Sequence, residues 1–250
     1  MSILVSFEGG EGSGKSAQVD ILSGKLRAQG VQTLLVREPG STPLGQYLRR
    51  WLKSEASGQE AISPIAELFL FAAARADVVS KVIAPALRRE GMVIVTDRFA
   101  DSTTAYQGYG RRLPLPQVHA ANAFAVQGVV PDLTFLLDCT PELGLSRIGQ
   151  LQIRLPLGLG DEPVGTRMDG EGTRRFEQES LDFHRRVRAG YLEMAQADTD
   201  RWEVVDATMP VESVAEAVWH RIERELPRLQ RTSNDSGVLL ERPTDSQQAS

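Results

Sequence analysis

Four short apolar runs punctuate the chain, at residues 3–7 (ILVSF), 31–36 (VQTLLV), 92–96 (MVIVT) and 133–137 (LTFLL), with a weaker fifth at 202–205 (WEVV). They are rich in Val, Ile and Leu and mostly lack the alternation of a half-exposed strand. Such runs suit strands buried on both faces, as in a parallel sheet covered by helices. The intervening segments carry helical spacing. Residues 17–28 place Val19, Ile21, Leu22 and Leu26 near one face. Pro64 opens a helix through Glu67, Phe71, Arg75 and Val79, with Pro85 as a kink or boundary. Residues 115–126 and 173–197 also read as helical, and 211–226 is the last helix, stopped by Pro227. The order βαβαβαβαβ predicts an α/β three-layer domain with a five-stranded parallel sheet, flanking helices and right-handed crossovers.

Two regions break this rhythm. Residues 149–172 hold Gly, Pro, Asp and Arg with little helical periodicity, and so long a loop inside a compact domain is usually functional or mobile. Beyond Pro227 the chain turns polar (RTSNDSGVLLERPTDSQQAS). The expected organisation is one domain over 1–227 and a disordered tail over 228–250.

Composition narrows the function. There are 28 basic and 33 acidic side chains, for a net charge of −5. An acidic chain is a poor match for a phosphate backbone, so no nucleic-acid partner is expected. Cys139 is the lone cysteine, which excludes an internal disulfide and thiolate zinc clusters. Three histidines argue against a histidine-rich metal site. The opening MSILVSFEGGEG lacks a secretory pattern, and no apolar run approaches the ~20 residues that span a bilayer, so a cytoplasmic protein with no membrane partner is expected.

The first chemical signal is Gly9-Gly10-Glu11-Gly12-Ser13-Gly14-Lys15-Ser16, which fits G-x-x-x-x-G-K-[ST]. It follows the first apolar run and precedes a helical segment, the strand–loop–helix context the motif requires. Glycines let backbone N–H groups turn inward around phosphate oxygens, and the following helix offers its positive end to the same anion. Lys15 would reach the β- and γ-phosphates of a nucleoside triphosphate and the Ser16 hydroxyl would ligate Mg²⁺. The loop names a nucleoside triphosphate, not a reaction. No N-K-x-D signature follows it, which counts against a GTPase switch.

Charged residues also stand where the strands end, the edge at which open α/β sheets bind ligands. Arg37 follows the second run, Asp97-Arg98 the third, Asp138 the fourth and Asp206 the fifth. Asp97 is the candidate metal acid beside Ser16. Asp138, just before Thr140-Pro141-Glu142, reads as a helix-cap or turn residue. Arg37, Arg75 and Arg98 come from three segments, and a planar guanidinium fork suits a phosphate dianion. Brought together by the sheet order, they would form a second anion site opposite the loop, as transfer between two phosphate-bearing molecules requires.

These segments together resemble the thymidylate kinase family: FEGGEGSGKS at 7–16, REPGSTPLG at 37–45, ELFLFAAARADVV at 67–79, DRFADSTTAYQGYGR at 97–111, PDLTFLLD at 131–138 and RRFEQESLDFHRRVRAGYLEMA at 174–195. The resemblance implies a three-layer P-loop NTPase fold with a mobile lid, here about 147–173, and a homodimer. It implies transfer of the γ-phosphoryl of ATP to dTMP, giving dTDP and ADP. On that likeness Phe71 stacks on the thymine and Arg75, one turn later, donates to a base carbonyl. Arg37 and Arg98 grip the dTMP phosphate, and Glu11 lies near the deoxyribose 3′-hydroxyl. Tyr106 and Gln107 close over the sugar and base, while Asp97 helps hold Mg²⁺ and the acceptor. The chain departs from the family at Ser41, which stands where a Gly is usual and is expected to change the turn's φ. Its lid arginines are spread out as well. Arg154 and Arg167 are the candidates for the transferring phosphoryl, with Arg147 fixed at the lid's base. Two rivals stay open: a small kinase with another acceptor, and a nucleotide sensor that has lost catalysis. Arg37 with Arg98 favours an acceptor already carrying a phosphate.

Overall fold

The structure is a computed structural model that describes residues 2–54, 62–154, 174–177 and 179–226. The strands are β1 (Ile3–Glu8), β2 (Gln32–Arg37), β3 (Met92–Asp97), β4 (Leu133–Asp138) and β5 (Trp202–Asp206). They form one sheet in the order β2-β3-β1-β4-β5, with every neighbouring pair parallel. The helices are α1 (Lys15–Ala28), α2 (Pro43–Ser54), α3 (Pro64–Val78), α4 (Ala84–Leu87), α5 (Ala100–Thr103), α6 (Leu115–Val126), α7 (Pro141–Arg154), α8 (Arg174–Glu177), α9 (Leu181–Ala197) and α10 (Val211–Glu223). This is the expected three-layer α/β architecture.

Alternate residues of the central strands feed opposite faces. Val5, Phe7, Val95 and Phe135 pack with Leu22 and Leu26 of α1 and Val218 and Ile222 of α10. Leu4 and Ile94 meet Val78, Ile83 and Phe99 on the other face, where Leu136 joins Val187 and Tyr191 of α9. Each fully buried aliphatic side chain contributes about 1.5–3 kcal/mol. Edge strands β2 and β5 are more exposed than β1 and β3.

Each strand runs one residue past its apolar run, through Glu8, Arg37, Asp97, Asp138 and Asp206. The ladder needs only backbone groups, so pairing continues through a polar residue: Phe7 and Arg37 both sit in register with Asp97. Every strand therefore delivers a charged side chain to the same carboxyl edge of the sheet.

Several expected boundaries change. Pro85 does not break its helix; the irregularity comes earlier, as a π-helical turn over Val79–Ile83. Proline has no N–H for the carbonyl four residues back, and the turn widens there so that Ala84 N–H reaches Val79 O. The helix expected over 173–197 is two pieces, because Ser180 adopts an extended conformation and caps α9 by accepting from Phe183 N–H. Helix α7 extends into the segment that lacked periodicity. Helix α2 and a second π-helical turn, Thr104–Gly110, were not anticipated. Residues 155–173 of the expected lid and the expected tail at 228–250 lie outside the described residues. Among the described residues no helix is long and apolar enough to cross a membrane.

Candidate active site

The Gly9–Ser16 loop hangs from the end of β1 and runs into α1. Gly14 takes φ 90° as the residue before α1, so the helix starts at Lys15 with its N-terminal N–H groups facing the loop. Gly12 has φ 69°, and a Cβ there would run into the Gly144 carbonyl of α7. The Lys15 ammonium lies inside the loop and donates to Gly10 O (2.7 Å), Ser13 Oγ (3.1 Å) and Gly9 O (3.2 Å). Burial and then the Arg98 charge pull its pKa down to about 8, against the opposing pull of Glu11, Asp97 and Glu8. The Ser16 hydroxyl donates to Asp97 Oδ2 at 2.7 Å. A hydroxyl and a buried carboxylate at that separation are the hard oxygen donors a magnesium ion takes.

Adjacent strand ends bring the next groups in. Arg37 Nε lies 3.8 Å from Asp97 Oδ2 across the β2–β3 ladder. Arg98 turns away from β3 in a left-handed conformation, φ 73°, which costs a side chain of this size free energy. Three bonds hold that turn: Arg98 N–H to Phe7 O (3.0 Å), Thr96 Oγ1–H to Arg98 O (2.7 Å) and Phe99 N–H to Glu8 Oε1 (2.7 Å). The Arg98 guanidinium then faces the loop. Its Nη1 points at Gly9 O, Ser102 Oγ and Tyr191 OH at 3.1–3.3 Å, and Nη2 donates to Glu11 Oε1 (2.8 Å) and Tyr106 OH (3.0 Å). The guanidinium also lies over the Tyr106 ring, 4.9 Å from its centre. Burial would raise the Glu11 pKa, but the Arg98 and Lys15 charges outweigh it and keep Glu11 below the usual carboxylate range.

Helix α3 supplies a neighbouring wall. Glu67, Phe71 and Arg75 are spaced i, i+4, i+8 and share one face. Phe71 is half-buried, its ring 6.1 Å from that of Phe176. Arg75 is almost wholly buried. It donates to Glu38 Oε2 (2.7 Å), Thr103 Oγ1 (2.7 Å), Asn122 Oδ1 (3.1 Å) and Phe99 O (3.0 Å). Four of its five N–H groups are thus engaged, leaving one on Nη2. Burial raises the Glu38 pKa despite the Arg75 charge beside it. Tyr106 and Gln107 come from the second π-helical turn: Tyr106 OH donates to Glu11 Oε1 (2.7 Å) and Gln107 Nε2 to Glu67 Oε1 (2.8 Å).

Lys15, Ser16, Asp97, Arg37, Arg98, Glu11 and Tyr106 therefore form one linked group. Arg75 sits alongside it, joined through the Arg98–Phe99 turn. Asp138 is not a helix cap. It makes a two-pronged ion pair with Arg188 of α9 (2.7 and 2.8 Å), and Thr140 takes the position before α7. Ser41 does not adopt a left-handed φ. Its Oγ accepts from Arg37 N–H (2.8 Å) and closes the turn. Arg147 Nη1 donates to Ala207 O (2.8 Å), tying α7 to the turn after β5. Arg154 ends α7 with only its backbone described, and Arg167 lies outside the described residues.

Residue-by-residue reading missed the acids that hold these groups in place. Glu8, fully buried at the end of β1, accepts from Phe99 N–H, Ser102 Oγ (2.5 Å), Tyr191 OH (3.0 Å) and Ser6 Oγ (3.0 Å). Burial and the Asp101 charge push its pKa up to about 7, against the Ser102 bond, the Arg98 charge and the Phe99 bond. Glu38 and Glu67 are the other two. The available signal was an acid next to, or within, an otherwise apolar run.

The glycine-rich loop and the Arg37 and Arg98 guanidinium groups thus stand together on one sheet edge. A family model for thymidylate kinase matches residues 7–155. The thymidylate kinase of Thermomicrobium roseum is 43% identical over 93% of this chain and 100% of its own length. That of Solidesulfovibrio magneticus is 46% identical over 87% of this chain and 97% of its own. Among solved structures, a thymidylate kinase from Ehrlichia chaffeensis superposes with a TM-score of 0.65 at 27% identity, covering 89% of this chain and 98% of that one. Motif, architecture and similarity converge, and the chain belongs to the thymidylate kinase family, a group of nucleoside-monophosphate kinases.

Proposed function

We propose that this chain transfers the γ-phosphoryl of ATP to dTMP, with the residue roles that follow. One observation carries the reading: the strand order β2-β3-β1 sets Arg37, Asp97 and Arg98 directly beside the phosphate loop, with Arg98 Nη1 3.1 Å from Gly9 O. The loop amides and the start of α1 hold the ATP phosphates. Arg37 and Arg98 hold the dTMP phosphate against them, Phe71 stacks on the base, and the remaining Arg75 N–H meets a base carbonyl. Tyr106 and Glu11 border the sugar.

A dTMP phosphate oxygen attacks the γ-phosphorus in line. The new P–O bond forms as the bond to the β-phosphate oxygen breaks, and ADP carries away the electron pair. A phosphate dianion needs no strong general base. The protein's part is placement and charge neutralisation by Lys15, Arg98 and a lid arginine, Arg154 or Arg167. Ser16 and Asp97 are the groups to hold Mg²⁺, which when bound neutralises charge on the β- and γ-phosphates. The domain spans 1–227, with a lid about 147–173 that closes over the phosphates and excludes water.

We place the protein in the cytoplasm as a homodimer. Helix α3 packs against both α2 and α6. Leu44 and Tyr47 of α2, Ile65 and Phe69 of α3 and Phe124 of α6, the last 87% exposed, offer apolar surface for a second copy. Sedimentation of the purified chain tests this; a monomer at micromolar concentration refutes it.

The deciding experiment is ADP release with a panel of nucleosides and nucleoside monophosphates, with Lys15→Ala as control. Selective, Lys15-dependent release with dTMP is expected. Release with a nucleoside instead would move the acceptor assignment, and nucleotide binding without dTMP-dependent release would mark a sensor.

A further inference from the structure

Glu67 is fully buried, yet it lies on a helix face whose next two positions are assigned to the base. It accepts from Gln107 Nε2 at 2.8 Å and from Arg111 at Nε (3.1 Å) and Nη2 (3.2 Å). Arg111 is pinned in turn: its Nη1 meets Glu179 at 2.5 Å, and its guanidinium lies over the Phe183 ring, 4.9 Å from the centre. A carboxylate paired with a guanidinium offers only acceptor lone pairs.

An amide side chain can turn end for end at almost no steric cost, so its partners decide its orientation. Opposite Glu67, Gln107 must present its amino end. The reversed amide would set two oxygens 2.8 Å apart. The Gln107 carbonyl is therefore turned away from Glu67, and none of the described residues donates to it. Its backbone carbonyl is also fixed, by Leu113 N–H at 3.1 Å.

Along α3, then, Phe71 lies between an arginine that presents a donor and an amide that presents an acceptor. That pair fits a pyrimidine edge with a carbonyl beside a ring N–H, as thymine and uracil have. Cytosine presents an amino group beside a bare ring nitrogen, which sets donor against donor and acceptor against acceptor. We infer that Glu67 is a specificity-positioning residue: by holding the Gln107 amide with its oxygen toward the base, it makes the site select imide pyrimidines over amino pyrimidines. This rests on the dTMP assignment above.

The test is Glu67→Gln in the full chain. The replacement amide offers a donor as well as an acceptor, so Gln107 is free to turn either way. Steady-state turnover is read with dTMP, dUMP and dCMP, using dCMP as a competitive inhibitor where its turnover is too slow to follow. The dTMP-over-dCMP preference should fall about 10–100-fold, as expected when a site's hydrogen-bond polarity is no longer enforced, with the KM for ATP unchanged. Preference for dTMP over dUMP should stay put, since both carry the imide. Equal losses for dTMP and dCMP would make Glu67 a structural acid and overturn the inference. Gln107→Met, which removes the carbonyl and keeps the bulk, should lower the same preference, and adding Glu67→Gln to it should cost no more. If Glu67→Gln does not fold, an unchanged preference in Gln107→Met overturns the inference by itself. The wild-type arm separates the two readings. Wild type that ignores dTMP sinks the function proposed above, whereas wild type that uses dTMP beside an unaltered Glu67→Gln preference sinks only this one.

Discussion

The two sides of the proposed site are built by different means. The Gly9–Ser16 loop is eight consecutive residues, and the groups proposed to bind there are mostly backbone N–H groups set by three glycines with positive φ. The opposite side draws on β2, α3, the Arg98 turn, the second π-helical turn, α6 and α9, and the groups proposed to bind there are long side chains. Three buried glutamates anchor several of them: Glu38 by direct contact with Arg75, Glu67 with Gln107 and Arg111, and Glu8 with the Ser102 and Tyr191 hydroxyls beside Arg98. A loop of amides carries its donors on the backbone itself and is tied together from within by the Lys15 ammonium. A wall of arginines is rigid only if something orients each fork, and a buried carboxylate does so at a desolvation cost that the pairing must offset.

The largest expected effect lies on the loop side. Lys15→Ala should lower kcat by about 10³-fold or more and still unfold in one cooperative transition, because the ammonium's hydrogen-bond partners all belong to the loop itself and none to the sheet or its packed helices. Near-normal turnover would break the contrast, since the loop would then act without its cation. Next comes the wall. Arg98→Ala should raise the KM for dTMP about 100-fold, the scale of a lost charge-assisted contact, with much less change in the KM for ATP. Equal losses for both substrates would make Arg98 part of the loop rather than part of the wall.

The same contrast explains what the sequence disclosed. Strands buried on both faces announce themselves as apolar runs, and the loop is a contiguous pattern, so both were legible. Ser180 was a readable cap inside residues 173–197, overlooked because flanking periodicity dominated. Helix α2 was legible as well, since Leu44, Tyr47, Leu48 and Trp51 recur at helical spacing, with Leu48 buried while Leu44 and Tyr47 face outward. The π-helical turns have no period that a sequence shows. Glu8, Glu38 and Glu67 gain their meaning from partners 37 to 183 positions away, such as Tyr191 for Glu8, and no local pattern reports that. Asp138 shows the reverse error: its neighbours suggested a cap, while its partner Arg188 lies on α9.

A third test asks how far the wall depends on its acids for stability. Arg75→Ala would leave Glu38 buried with its partner removed, where both side chains are at most 4% exposed. Breaking such a pair from one side should cost about 3–5 kcal/mol in chemical denaturation. A loss under about 1 kcal/mol, the scale of an exposed pair, would mean that Arg75 is replaceable by water, and the comparison with the loop would lose its basis.

The smallest effect concerns Glu8 and has a definite sign. Its pKa is about 7 in the folded chain against an ordinary value of 4.5. Between those values the folded state binds more protons than the unfolded one, so stability must fall as pH rises through that window. The groups facing Glu8 are Asp101, itself paired with Arg201, together with Arg98, Ser102 and Tyr191. Asp101 and the lost hydration favour the protonated acid, while Arg98 and the hydroxyls favour the carboxylate. Glu8→Gln removes this titration, so the wild-type melting temperature should decline relative to the variant's between about pH 5 and pH 7. Parallel curves would place Glu8 as a carboxylate throughout, held by Arg98 strongly enough to cancel its burial, and would make the Arg98 turn as self-sufficient as the glycine loop it faces.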